Sequence, residues 1–335
     1  MHELFDRALE LHRRVPVVDG HADSILGALD DPHAPPDRRE PRRSLAERSD
    51  RGHIDFPRAR DAGLSCTVQT AWPAPSFYPV AASRVFTMVD AILSEVERSP
   101  DARLVTRAAE VRACHADGKL GVLVNVEGAE PLHGQLGVLR SLYRLGVRVL
   151  QPVWNHRNDA ADGIAEQPGG GLSAFGRDLI KEMNRLGMAI DLSHITRQGF
   201  FEVLDLSEQP VLFTHGNCRA LFDHRRNLAD DQIRALAAHG GVFGISVVNA
   251  FMSEGRSDVK AVADHVDHAV QLVGPDHVAY GSDFDGTDTV PTDLEDVARL
   301  PNLTAELMAR GYKDDDLAKI LGGNYLRVFE RVFGG

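Results

Sequence analysis

Seven side chains able to bind metals or move protons fall where short apolar runs end. They are His21 and Asp23 in VPVVDGHAD, Glu127 in LGVLVNVEG, His156 in VRVLQPVWNH, His194 in MAIDLSH, His215 in PVLFTH and Asp283 in HVAYGSDFDG. Imidazole nitrogen and carboxylate oxygen are the usual donors to zinc in catalytic sites, which keep one position open for water, and a carboxylate can span two ions. His21 and Asp23 stand at i and i+2, so on an extended strand both point to one face and can reach one ion. Singly each signal is weak: a lone buried histidine is more often a hydrogen-bonded core residue, and His-x-Asp arises by chance. Together they are not, because the chain has only 15 histidines in 335 residues and several of them stand at successive run ends.

The elements that must position these groups are legible as eight β-rich runs, the six above plus LSCTVQTAW from Leu64 and GVFGISVV from Gly241. Their Val, Ile and Leu content suits strands buried on both faces. Segments with helical periodicity lie between them, for example 81–98, 135–145, 174–186, 230–238 and 259–273, which is the pattern of parallel βαβ units. The spacing predicts an α/β protein, a (β/α)₈ TIM barrel forming one domain over 1–335. In that architecture reactive side chains gather at the C-terminal ends of the strands. The Pro- and Arg-rich segment at about 31–51 interrupts the alternation and reads as a solvated surface loop, or alternatively as a lid over the substrate.

Composition narrows the function. The formal net charge of −12 repels phosphate backbones and anionic lipid surfaces, so neither nucleic acid nor membrane is expected as a partner. The opening MHELFDRALELHRR reads as an amphipathic helix, and no apolar run is long enough for a signal peptide or a membrane span. Three cysteines without CxxC spacing, Cys66, Cys114 and Cys218, argue against a disulfide framework and fit a reducing, cytoplasmic setting. No G-x-S-x-G elbow is present, which disfavours serine catalysis. The glycines of QPGGG lack the context of a phosphate cradle and read as a flexible loop near the site, and His265 with His268 read as a solvated helix face rather than a surface metal pair.

The stretches VVDGHAD, NVEGAEPL, the Leu-Gly-Val-Arg run leading into NHRND, IDLSH, VLFTHGNCRAL, HRRN, YGSDFDG and GGNYLRVF resemble the membrane (renal) dipeptidase family of zinc peptidases, peptidase family M19, within the amidohydrolase-like barrels. The resemblance runs from about residue 15 to 330. It implies two Zn²⁺ per chain, one on His21 and Asp23 and one on His194 and His215, with Glu127 bridging them. It also implies that His156 polarises the scissile carbonyl, that Arg226 pairs with the substrate's C-terminal carboxylate, and that Asp283 shuttles the proton of a metal-bridging hydroxide. The implied substrates are free dipeptides, including those with a C-terminal D-residue, and the chain could pair as a homodimer. Alternatives are an amidohydrolase-like enzyme acting on an ester, lactone or phosphotriester, for which Arg226 has no carboxylate to hold, and a non-catalytic scaffold, which predicts a missing ligand where none is missing.

Overall fold

The computed structural model describes residues 2–30 and 41–334. Nine strands run in the order β1 (Val18–Ala22), β2 (Cys66–Ala71), β3 (Ala102–Leu104), β4 (Leu120–Glu127), β5 (Val147–Gln151), β6 (Ala189–Ile190), β7 (Leu212–Gly216), β8 (Val242–Ile245) and β9 (Val278–Tyr280). All pairings are parallel, in the spatial orders β1-β2-β4-β5-β6 and β7-β8-β9. Two parallel bridges join these halves, Asp191 with Leu212 and Ala22 with Phe284, so that eight strands close a barrel. All eight are the anticipated runs. The ninth, β3, adds to the start of β4; three residues with Arg103 exposed carry no periodic signal.

Twelve α-helices accompany the strands: α1 (His2–Arg14), α2 (Phe56–Asp61), α3 (Ala81–Arg98), α4 (Ala108–Ala116), α5 (Leu136–Arg144), α6 (Ala174–Leu186), α7 (Arg197–Leu206), α8 (Asp230–Ala238), α9 (Val259–Val273), α10 (Leu300–Ala309), α11 (Asp314–Ala318) and α12 (Asn324–Phe333). Strand β4 shows how period two serves both sides of the barrel wall. Val122, Val124 and Val126 pack outward into the large core shared with the helices, whereas Leu123 joins the apolar cluster inside the barrel, followed on its face by Asn125 and Glu127. The interior therefore changes from apolar to polar to chemically reactive along one strand.

The apolar floor is closed by α12, whose Tyr325 and Phe329 join Val18, Val68, Leu123, Val149, Leu212 and Val242. Tyr325 reaches the barrel axis, where its hydroxyl donates to the Thr214 carbonyl at 3.3 Å. A Cβ at Gly20 would overlap the Tyr325 ring, and one at Gly244 or Gly281 would press on its hydroxyl and on the Thr214 backbone. Glycines in DGHAD and YGSDFDG and the tyrosine of GGNYLRVF thus form one packing unit, although they lie far apart in sequence.

Several expectations for secondary features change. His265 is buried and its Nδ1 accepts from the Cys218 backbone at 3.1 Å, while His268 Nε2 lies 2.8 Å from Asp230, so each is separately satisfied and they form neither a metal pair nor a solvated face. The 169–171 glycines are tied down, Gly170 donating to Asp162 at 2.6 Å and accepting from the Thr196 hydroxyl. Of the 31–51 insertion, residues 41–51 are fastened to the barrel by the Arg43–Asp285 ion pair, 2.7 Å. The lid reading covers about 31–51, of which 31–40 lie outside the described residues. All three cysteines are buried and free.

One buried histidine outside the mouth makes stability depend on pH. His12 on α1 lies between the Ala62 carbonyl, 2.8 Å from Nδ1, and the Thr304 hydroxyl, 2.8 Å from Nε2, and burial holds its pKa down to about 4. The fold therefore favours neutral imidazole. Its contribution is fully present above pH 6.5 and is lost as pH falls through the unfolded value toward the folded one; between pH 7 and pH 5 the loss is about 2 kcal/mol. Urea unfolding of wild type and His12→Gln at those two pH values should show a correspondingly smaller acid loss in the variant, and equal losses would contradict the assignment.

Candidate metal centre

Seven of the eight candidate residues meet at the C-terminal mouth, all buried: His21, Asp23, Glu127, His194, His215, Arg226 and Asp283. Glu127 lies at their centre. Its Oε2 is 3.3 Å from His21 Nε2 and its Oε1 is 2.8 Å from His194 Nε2 and 3.9 Å from His215 Nε2. Two donor groups of metal-binding size share it, one formed by His21, Asp23 and Glu127 and the other by Glu127, His194 and His215.

The hydrogen bonds behind the two C-terminal histidines decide where their lone pairs point. His194 Nδ1 is 2.9 Å from the Asn155 side-chain oxygen and so carries the proton, leaving Nε2 bare. The Thr214 hydroxyl donates to Asp191 at 2.5 Å, so His215 Nδ1, 3.0 Å from that hydroxyl, must be the donor, and its Nε2 is bare as well. Two bare nitrogens then face each other at 3.0 Å, with a Glu127 oxygen 2.8 Å from the first. The Arg226 guanidinium, with Nη2 3.0 Å from His194 Nε2, supplies a donor to this group from one side, and imidazoles held from behind through Nδ1 in this way present Nε2 as metal-binding histidines do. Burial and the nearby Arg226 hold His194 at about 4, and burial and His21 hold His215 well below the usual imidazole range, keeping both neutral.

The other half is dominated by carboxylates. His21 Nε2 has Asp23 at 3.4 Å, Glu127 at 3.3 Å and Asp283 at 4.0 Å, yet makes no hydrogen bond, and Asp23 Oδ1 is likewise buried without a partner. Burial opposes charge on His21, but Glu127 and Asp23 overcome it and raise its pKa well above the ordinary value. Burial also opposes the charge of Glu127, but His21 and His194 outweigh it and lower its pKa. Burial raises the Asp283 carboxyl well above its usual range, with Asp23 and Glu127 adding to it against His21 and Arg226. A divalent cation satisfies both the orphaned donors and the excess of negative charge, so the residues present fit a metal.

The SDFDG segment builds much of this. Ser282 donates to Asp19 through its backbone at 2.7 Å and its hydroxyl at 2.6 Å, fixing β9 against β1. Asp283 holds φ of +60°, an uncommon conformation for a residue with a side chain, while its amide donates to the His21 carbonyl at 3.0 Å. Phe284 completes barrel closure, Asp285 anchors Arg43, and a Cβ at Gly286 would overlap the carboxylates of both Asp23 and Asp283.

Arg226 lies with Nη2 3.0 Å from His194 Nε2 and 3.3 Å from the His215 carbonyl, and no carboxylate of the described residues is within ion-pair distance of it. Burial lowers its pKa to about 10, opposed by the charges of Asp283, Glu127 and Asp191, so it remains a cation with no direct ion-pair partner among the described residues. His156 is the one candidate left outside. Its side chain is 58% exposed, with Nδ1 3.8 Å from Glu166. The reason is that β5 ends at Gln151, so His156 belongs to the following loop, and it is Trp154 whose ring adjoins His194, with centroids 6.0 Å apart. His156 packs against that same Trp154 ring, with centroids 6.0 Å apart, and stands apart from the seven clustered residues. Asp191, Asn155 and Trp154 escaped the sequence reading; only Asp191, three residues before His194 in IDLSH, had a signal that could have been weighed.

A family model described as membrane dipeptidase, peptidase family M19, matches residues 5–333. The chain is 33% identical to dipeptidase verJ of Clonostachys rogersoniana over 343 aligned positions, covering 97% of this chain and 86% of that protein. Among solved structures it is similar to a dipeptidase described as an M19 metallopeptidase, with TM-score 0.87 and 31% identity, covering 96% of this chain and 99% of the other. It is also similar to a metallopeptidase from Rhodobacter sphaeroides liganded with a phosphinate mimic of the dipeptide L-Ala-D-Ala, with TM-score 0.86 and 30% identity, covering 95% and 99%.

If Asn155 sets the tautomer of His194, Asn155→Ala should weaken divalent-metal affinity by roughly 10- to 100-fold while leaving the fold intact. Chelator competition followed by metal analysis measures this, and unchanged affinity would remove Asn155 from the metal centre.

Proposed function

The chain belongs to the membrane dipeptidase family, peptidase family M19, and is a metal-dependent dipeptidase; on that premise we propose that it hydrolyses free dipeptides, including L,D-dipeptides, with two zinc ions. His21 and Asp23 would hold one ion and His194 and His215 the other, with Glu127 shared. The observation that carries this reading is the pair of donor groups with Glu127 in common, one poor in protons and the other rich in carboxylates. When bound, such a pair supplies a water acidic enough to ionise near neutral pH and positive charge opposite a developing oxyanion.

The rest of the chemistry falls to the chain's own residues. Arg226 binds the substrate's C-terminal carboxylate; a buried guanidinium with no carboxylate in ion-pair contact among the described residues is suited to an anionic ligand with two coplanar oxygens. This also disfavours neutral esters, lactones and phosphotriesters, which would leave that charge unpaired. Asp283 takes the proton from the attacking water and delivers it to the leaving amine. Its carboxylate reaches the donor cluster, 4.0 Å from His21 Nε2, and its backbone is pinned to the His21 carbonyl.

Three outcomes follow. Well-loaded protein should contain about two equivalents of divalent metal per chain, and Glu127→Gln should lower occupancy of both positions together. Metal analysis showing one ion or none in wild type would contradict the shared centre. Asp283→Asn should keep the metal content yet lose most turnover in a dipeptide assay; near-normal turnover would exclude it from proton transfer. Arg226→Met should cost on the order of 2–5 kcal/mol in kcat/KM for free dipeptides and much less for dipeptide amides. Equal losses for the two substrate types would refute carboxylate recognition.

A further inference from the structure

Across the barrel mouth from Arg226, buried oxygen acceptors stand without donors. Both carboxylate oxygens of Glu130 and the hydroxyl of Tyr78 are shielded from solvent, yet none makes a hydrogen bond among the described residues. Glu130 opens a short 3₁₀ turn, Glu130–Leu132, three residues beyond Glu127, and its side chain folds back over Gly128, where a Cβ would overlap its carboxylate. Gly128 also holds φ of +89°, so both space and conformation require glycine there. Asn158 and Tyr78 lie alongside the carboxylate and stabilise its charge as weak hydrogen-bonding neighbours, but neither makes a well-formed hydrogen bond to it. Asn158 is committed elsewhere, its oxygen accepting from Ala160 and Ala161 and its amide donating to Pro152.

An anionic or acceptor-rich group without donors, at the edge of a site that takes an anionic end on its opposite side, calls for a cation. Glu130 follows β4 and Tyr78 follows β2, whereas Arg226 follows β7, and the closed order β1-β2-β4-β5-β6-β7-β8-β9 sets β2 and β4 across the mouth from β7. Two indoles pack together at the strand ends, Trp72 just after β2 and Trp154 just after β5, with ring centroids 5.0 Å apart, and aromatic faces favour ammonium groups. An ammonium brings three N–H donors, and Glu130 with Tyr78 offers three acceptor oxygens. Burial raises the Glu130 carboxyl to about 7, against the pull of its neighbours, as befits a carboxylate whose countercharge arrives with a ligand.

We propose that Glu130 and Tyr78, bordered by Trp72 and Trp154, form the subsite for a cationic nitrogen on the amino-terminal residue of the substrate, either its α-ammonium or a basic side chain. This rests on the dipeptide reading and extends it: Arg226 holds one end of the substrate by its carboxylate, and Glu130 holds the other by its positive charge.

The test compares kcat and KM of wild type, Glu130→Gln and Tyr78→Phe on Ala-Ala, N-acetyl-Ala-Ala, Lys-Ala and norleucyl-Ala, with thermal melts of each protein. Glu130→Gln should lose roughly 10- to 100-fold in kcat/KM, mostly through KM, on whichever substrates carry the recognised cation. If that cation is the α-ammonium, all three free dipeptides lose equally and wild type already discriminates against the acetylated one. If it is the side chain, wild type prefers Lys-Ala to norleucyl-Ala, and only Lys-Ala loses. Tyr78→Phe should reproduce the same substrate ranking with smaller losses, so the subsite is tested even if the Glu130 variant folds poorly. Losses within about twofold on every substrate, with melts unchanged, would overturn the subsite while leaving the dipeptidase reading intact. A wild type that cleaves none of the free dipeptides would overturn both.

Discussion

The mouth of this barrel is organised by the electrostatics of one buried carboxylate, Glu127. Its two oxygens face different histidines on opposite sides, His21 on β1 and His194 just beyond β6, and both relationships are short. A carboxylate so deeply enclosed would protonate or force a rearrangement unless positive charge surrounded it. Arg226 lies near but is directed at His194 and the His215 carbonyl, so it does not neutralise the centre. The cluster of donors around Glu127 suits a bound cation, and the proposed pair of zinc ions rests on the two donor groups that share this carboxylate.

What holds Glu127 and its partners in place is a graded barrel interior. Tyr325 and its neighbours seal the floor with apolar packing; Asn125, Gln151, Asp191 and Thr214 form a polar layer above it; the donors stand on top. The polar layer sets proton positions. Asp191 takes the Thr214 proton, which makes His215 a donor through Nδ1 and presents its other nitrogen to the mouth. Such supports let a site act at a distance from the fold's hydrophobic energy, because each imidazole is oriented by a hydrogen bond and not by packing alone.

Much of this was legible in the sequence, for identifiable reasons. The eight strands carried long apolar runs with reactive residues at their ends, and His21, Asp23, Glu127, His194, His215 and Asp283 meet where that pattern placed them. Arg226, reached through family resemblance, also lies at the mouth. His156 lies apart from the cluster because β5 stops five residues before it, after which chain direction no longer predicts side-chain direction. Asn155, Trp154 and Glu130 were not legible, since their importance depends on which loop residues come near one another once the barrel closes. The hydrogen bonds that orient His194 and His215 are three-dimensional facts of the same kind.

The most direct measurement of the central claim is anomalous scattering from crystals of the zinc-loaded protein, recorded on both sides of the zinc absorption edge. The account predicts two zinc peaks on either side of the Glu127 carboxylate, one in contact with His21 and Asp23 and the other with His194 and His215. A single peak, or two peaks that Glu127 does not join, would contradict it.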